Sequence, residues 1–276
     1  MRLRLYHHHD GARIAYREAG TGPPIVLLHS AGLSHREWEP LVEELDDRYR
    51  LVLPDLPLHG DSEDGPRHSY SPDWLGEVIA GFVRNTCGPR PLVGGHEVGA
   101  LLALRAVLSG RLSPGALVLM SSSLHRAPPQ GGRAARAAAR VASVPGLDRA
   151  ASHAARLAFR PSKGPALSAR GNPAARDLVR HATMDLGGNV DRARAWSKAV
   201  RRWPRDHPEL LEAYRRIELP VLLLWADEDA AHPLEIAEEA RDRLPDAMLR
   251  VLPGTGFLMA YDDPVGLARE LAAFRR

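Results

Sequence analysis

A carboxylate flanked by glycines, Gly95-His96-Glu97-Val98-Gly99, stands between a short apolar run and an apolar stretch with helical spacing. Glycines on both sides let a chain turn sharply from strand to helix and hold one side chain out at the end of the strand. Glu97 is then set at the amino end of a helix, where the helix dipole and nearby amides lower a carboxyl pKa while exclusion of water raises it. The sign stays open at this level, and the residue reads as a tunable acid or base. Asp229 and His232, three residues apart, add a second carboxylate and an imidazole, groups suited to proton transfer. His232 also has a second reading, as a polar residue that lines an entrance or caps the following helix. No His-x-x-x-His or similar ligand spacing appears, so no metal is expected. Gly94-Gly95 lacks the rest of a dinucleotide or phosphate-loop fingerprint, and nothing requires a cofactor. The run His7-His8-His9 lies between two strand-like segments and reads as a solvated strand end.

These groups need a scaffold, and the chain has the material for one. Its 276 residues fall within the range of one large α/β domain. With 44% hydrophobic and 26% charged residues, wholesale disorder and fibrous repeats are excluded. Cys87 is the sole cysteine, which rules out an internal disulfide framework and fits a reducing compartment. The first residues carry positive charge without a signal-like apolar stretch, and no apolar run approaches the roughly 20 residues that span a bilayer. A soluble, cytoplasmic protein with no membrane partner is expected.

Strand and helix patterns alternate at both ends of the chain. Leu3 to Tyr6 and Arg13 to Arg17 flank the hairpin signal Asp10-Gly11. Strands are expected at Pro24 to Leu28, Arg50 to Pro54, Pro91 to Gly94, Ala116 to Met120, Val221 to Ala226 and Ala247 to Leu252. Helices are expected at Trp38 to Leu45, Trp74 to Val83, Val98 to Leu108, Leu234 to Arg243 and Pro264 to Phe274. Such alternation predicts an α/β fold, a mostly parallel sheet flanked by helices. From Ser121 to Arg216 no strand pattern appears, and this stretch reads as an inserted helical cap over the carboxyl ends of the strands. The expected domains are a core of residues 1–120 and 217–276 and a cap of residues 121–216.

Net charge is +3, but Arg126 to Arg216 holds 19 Lys plus Arg against 7 Asp plus Glu. The block lacks aromatic interleaving and any nucleic-acid-binding motif, so no nucleic-acid partner is expected. It reads as a basic segment docked on an acidic body, with a rim attracting an anionic ligand as the alternative.

With these residues in place, the chain resembles the α/β-hydrolase superfamily over essentially its whole length. Gly95 to Gly99 is similar to the nucleophile elbow, and Val26 to Gly32, with His29, Ser30 and Ala31, to the oxyanion turn. Pro54 to Ser62 resembles the loop after the next strand. Val221 to Pro233 resembles the segment supplying the triad acid, at Asp229, and Gly254 to Pro264 the loop supplying the triad histidine. This resemblance implies oxyanion donors at the backbone amides of Ala31 and Val98. It also implies a pocket near His29, Ser30, His125 and Phe257, with His29 and His59 in turns used for packing and backbone hydrogen bonds, and His96 facing away. The chain departs from the pattern in carrying Glu97 at the nucleophile position, Phe257 at that of the histidine and Ser30 at that of a glycine. Serine-esterase chemistry needs an imidazole that Phe257 cannot replace.

Three functions follow as expectations. The first is a cofactor-free enzyme of small-molecule metabolism acting on a largely apolar substrate, with Glu97 as acid or base for elimination, isomerisation or cyclisation. The second is a hydrolase in which Glu97 is a carboxylate nucleophile, as in haloalkane dehalogenases and epoxide hydrolases, and His232 is a displaced base. The third is a non-catalytic binding protein that retains the pocket.

Overall fold

The computed structural model describes residues 1–63, 68–126, 166–187 and 207–275, together with positions 192, 195 and 199. Much of the expected cap, including Lys163, Lys198 and most of the basic block, lies outside the described residues. Runs in which charged and apolar residues mix become the outer strands β1 (Arg2–His7) and β2 (Arg13–Ala19), and more apolar runs become β3 (Pro24–Leu28), β4 (Arg50–Pro54), β5 (Leu92–His96), β6 (Ala116–Met120), β7 (Val221–Ala226) and β8 (Ala247–Leu252). They form one sheet in the order β1-β2-β4-β3-β5-β6-β7-β8. The β1 and β2 pair and the β2 and β4 pair are antiparallel. The remaining pairs are parallel.

Period-two alternation in the central strands feeds two cores. Val26, Leu28, Val93, Leu117, Leu119 and Leu223 pack on one face against α2 (Pro72–Cys87) and α3 (Val98–Leu108). Ile25, Leu27, Leu92, Val118, Leu222 and Leu224 pack on the other face, where α1 (Glu39–Leu45) brings Leu41 and Leu45. Runs that are apolar at every position are what a sheet covered on both sides demands.

Between β6 and β7 the described residues form no strand, and α4 (Ala174–Gly187) lies there. Ala175, Leu178 and Ala182 of α4 pack on Leu33, Leu258 and Tyr261, with Phe257 at the margin. Three described arginines of the basic block reach the core. Arg126 pairs with Glu239, Arg170 Nε donates to the Gly254 carbonyl at 3.3 Å, and Arg192 Nη1 donates to that of Gly60 at 3.0 Å. Of these three partners only Glu239 is acidic; the other two are backbone carbonyls. No described helix is long and apolar enough to cross a membrane.

The sheet sets the site. β3 pairs with β4 on one side and β5 on the other, so the chain leaves β3 and β5 in opposite directions. That reversal opens a crevice at the carboxyl ends of β3 and β5. Ala31 follows the first of these strands and Glu97 the second.

Candidate active site

Glu97 occupies the tight turn between β5 and α3 at φ 50° and ψ −111°. A side chain rarely adopts this backbone, and holding it there costs of the order of 1–3 kcal/mol. The turn is clamped by its neighbours. Glu97 N donates to the Met120 carbonyl at 3.2 Å, and Ser122 Oγ donates to the Glu97 carbonyl at 2.8 Å. The flanking glycines permit close approach. A Cβ on Gly95 would lie 2.3 Å from the Gly99 carbonyl carbon, and one on Gly99 would lie 2.4 Å from the Leu28 carbonyl oxygen. Both obstacles are backbone. Gly99→Ala is therefore expected to destabilise the protein by about 1–3 kcal/mol through overpacking, read as a lower urea midpoint with an unchanged m value.

The Glu97 side chain is only partly buried, and its Oε2 accepts a hydrogen bond from Ala31 N at 2.8 Å. One expected oxyanion donor is thus aimed at the carboxylate itself. Val98, the other expected donor, is the first residue of α3.

Asp229 and His232 are brought together. His232 Nδ1 lies 2.7 Å from Asp229 Oδ2, and both residues are buried. Trp225 Nε1 donates to the His232 carbonyl at 2.8 Å and anchors the segment to β7. Burial alone would raise the Asp229 carboxyl. The hydrogen bond and charge of His232, the Ala231 amide and the charge of His96 outweigh it and hold the group below its ordinary value. The Phe257 ring stacks at 26° to that of His232, with centroids 6.1 Å apart. Glu228 N donates to the Thr255 carbonyl and Thr255 N to Asp227 Oδ1, at 3.0 and 3.1 Å, tying the two loops together.

Three residues expected along the pocket serve other ends. His29 is wholly buried, with Nδ1 2.8 Å from the Ser30 carbonyl and Nε2 accepting from Leu56 N at 2.8 Å. Ser30 is also wholly buried and gives its amide and hydroxyl hydrogens to Glu37 Oε2, at 2.7 and 2.9 Å. His125 is buried between Tyr214 and Glu239, with its ring nitrogens 3.2 and 2.9 Å from their oxygens. His59 behaves as expected of a turn residue, accepting from Gly32 N at 3.0 Å.

Sequence reasoning missed a buried pair behind the elbow. His96 Nδ1 is hydrogen-bonded to Glu37 Oε1. Its ring lies 4.6 Å from Phe257 and 6.5 Å from His232 between centroids. Burial would lower the His96 pKa, but the Glu37 charge and hydrogen bond, then the charges of Asp229 and Glu97, raise it above the ordinary histidine value. Burial would raise Glu37, and the charge and hydrogen bond of His96 and the Ser30 amide bring it below the usual carboxylate value. The two positions stand 59 residues apart, and no spacing in the sequence pairs them.

Residues 25–270 match the Alpha/beta hydrolase family. The chain belongs to that family. Among its relatives in the alpha/beta hydrolase family is a pimeloyl-[acyl-carrier protein] methyl ester esterase of Nitrosomonas europaea. It is 28% identical over 265 residues, which cover 89% of this chain and 92% of the relative. A Methylococcus capsulatus protein of the same name is 30% identical over 224 residues, covering 80% and 82%. A thermophilic esterase from Thermogutta terrifontis superposes with a TM-score of 0.77 at 22% identity, covering 100% of this chain and 98% of that one. At that identity the superposition speaks for the fold alone.

Proposed function

We propose that this alpha/beta hydrolase cleaves its substrate with water through an ester on Glu97, and that His232 held by Asp229 resolves that ester. The observation that carries this reading is the 2.8 Å hydrogen bond from Ala31 N to Glu97 Oε2. An enzyme that transfers an acyl group to serine needs that donor for the substrate's carbonyl oxygen. A carboxylate nucleophile needs it for its own oxygen. Glu97 Oε1 attacks a saturated carbon bearing a leaving group, the carbon–leaving-group bond breaks and the leaving group departs with the electron pair. In the second step water adds to Glu97 Cδ, and the charge collects on Oε2, already facing the Ala31 amide.

The Asp229 contact supports the base. With its Nδ1 proton given to Asp229, His232 keeps its lone pair on Nε2 and takes the proton from the attacking water. Collapse of the intermediate releases an alcohol whose oxygen came from Glu97, and the imidazolium returns the proton. The relatives with esterase names support water-dependent cleavage over elimination, isomerisation or cyclisation. Small, largely apolar halides are the substrate class this chemistry takes, together with epoxides, whose opened ring oxygen stays on the substrate and takes its proton from solvent water.

Single turnover in oxygen-18 water tests the mechanism. The first alcohol formed is expected to be unlabelled, and the peptide containing Glu97 to gain one heavy oxygen by mass spectrometry. Labelled alcohol with an unlabelled Glu97 peptide would instead mean direct attack by water, with Glu97 as acid or base. Binding across a panel of halides and epoxides without any product would mean a silent pocket.

A further inference from the structure

The histidines that close β1 lie outside the chemistry above. His8 is not a solvated strand end: it is only 6% exposed, with Nδ1 2.8 Å from Asp10 Oδ1. Asp10 is itself fixed, accepting from Ala12 N at 2.9 Å and from Trp74 Nε1 at 2.7 Å. Successive side chains on a strand point to opposite faces. Here β1 ends at His7 and the chain turns through Gly11 at φ 89°, which frees His8 and His9 from that alternation. Their rings lie 4.0 Å apart. Glu77 on α2 faces them, its Oε1 4.0 Å from His9 Nε2. The His8 ring abuts α2 at Gly81, where a Cβ would lie 3.1 Å from Cδ2 and 3.4 Å from Nε2. Gly81 follows Glu77 by four residues, one helical turn along the same face. One ligand atom from each of His8, His9 and Glu77 lies within 4.8 Å of the others.

We propose that His8, His9 and Glu77 bind a divalent transition-metal ion of the zinc class. Two imidazoles and one carboxylate match that class in softness and charge. A ligating histidine needs its other nitrogen held by a carboxylate or carbonyl, and Asp10 does this for His8 by keeping the proton on Nδ1. Tetrahedral ligands at bond lengths of about 2.0–2.1 Å stand about 3.3 Å apart. The His9 and Glu77 side chains, 74% and 47% exposed, have the freedom to close that gap. Three protein ligands leave a fourth position to water. The ion ties the β1–β2 turn to α2 and takes no part in the reaction at Glu97.

Calorimetric titration of the full, untagged chain with zinc chloride near neutral pH is expected to show one site per chain. His9→Ala and Glu77→Gln change exposed side chains, and each is expected to weaken binding at least tenfold. Asp10→Asn is expected to weaken it about 10- to 100-fold, and His7→Ala to leave it unchanged. Cobalt is expected to give the visible absorption of a tetrahedral site in the wild type and not in His9→Ala. No binding at submillimolar zinc, or equal affinity in the His9→Ala/Glu77→Gln double variant, overturns the proposal.

Discussion

His232→Gln is expected to leave formation of the Glu97 ester nearly intact and to slow its hydrolysis by about 10^2 to 10^4-fold, the usual contribution of a positioned general base. The two steps separate because the imidazole is needed only once water must be deprotonated. Displacement at carbon consumes a carboxylate that the Ala31 amide already holds. A glutamine at position 232 can still donate an amide hydrogen to Asp229, so the acid is not left buried without a partner. That matters because removing one member of a buried pair destabilises a protein strongly. Rapid quench with a halide substrate should show a burst of halide ion equal to the enzyme concentration, then near-arrest. The mass of the intact variant should rise by that of the alkyl group. Glu97→Gln is expected to abolish the burst and the mass increase together. A His232→Gln variant that turns over normally would remove the imidazole from the mechanism.

Much of this site is legible in the amino-acid sequence, for identifiable physical reasons. β3, β4, β6 and β7 fall at their expected bounds, because a buried strand is a continuous apolar run and its edges are abrupt; β8, at the sheet edge and largely exposed, also falls at its expected bounds. Glu97 is equally visible, since a strand-to-helix turn this tight needs small residues at Gly95 and Gly99. The Asp229–His232 contact is local, three residues apart, and so lies within reach of spacing arguments. Helix ends were less visible. α2 begins at Pro72, two residues before its expected start, because Ser71 Oγ accepts from Trp74 N and proline fits the first helical position.

Side-chain pairing across distant elements was not legible. Ser30 reads as a pocket residue until Glu37 is seen accepting both of its hydrogens. Glu37 itself lies in a 3-10 turn, His35–Trp38, just ahead of α1, where the sequence offers only an acid before a helix. His96 follows the same logic. Its position beside Glu97 places it on β5, but its burial and its bond to Glu37 depend on which face of the sheet meets that turn. Polar residues inside a core are decided by partners that only the fold supplies.

Acid is expected to weaken the protein well above the range in which carboxylates titrate, and the turn that carries Ala31 is where the loss begins. His59 Nδ1 lies 3.0 Å from the Pro57 carbonyl while its Nε2 accepts from Gly32 N. His29 is held alike, between the Ser30 carbonyl and Leu56 N. Each ring is fixed as the neutral Nδ1–H tautomer, and a second proton would displace a backbone hydrogen bond. Burial first, then the neighbouring His29, pushes His59 down to about 3. Burial likewise lowers His29. A depressed folded pKa contributes stability that is present above the unfolded value and is lost as pH falls toward the folded one. For His59 the window runs from about 6.5 to about 3, and the loss between about pH 7 and pH 4.5 is about 2.5 kcal/mol, with His29 adding in the same direction. His96 works on the other side. Its raised pKa contributes stability that is complete below the ordinary histidine value and is lost as pH rises through the folded value. Urea denaturation across this range should therefore show stability falling on acidification by more than one proton's slope. His59→Gln, which can accept from Gly32 N without titrating, should lower that slope by about one proton. A variant with the wild-type slope would mean that His59 charges freely in the folded protein and that the Ala31 turn does not depend on its neutrality.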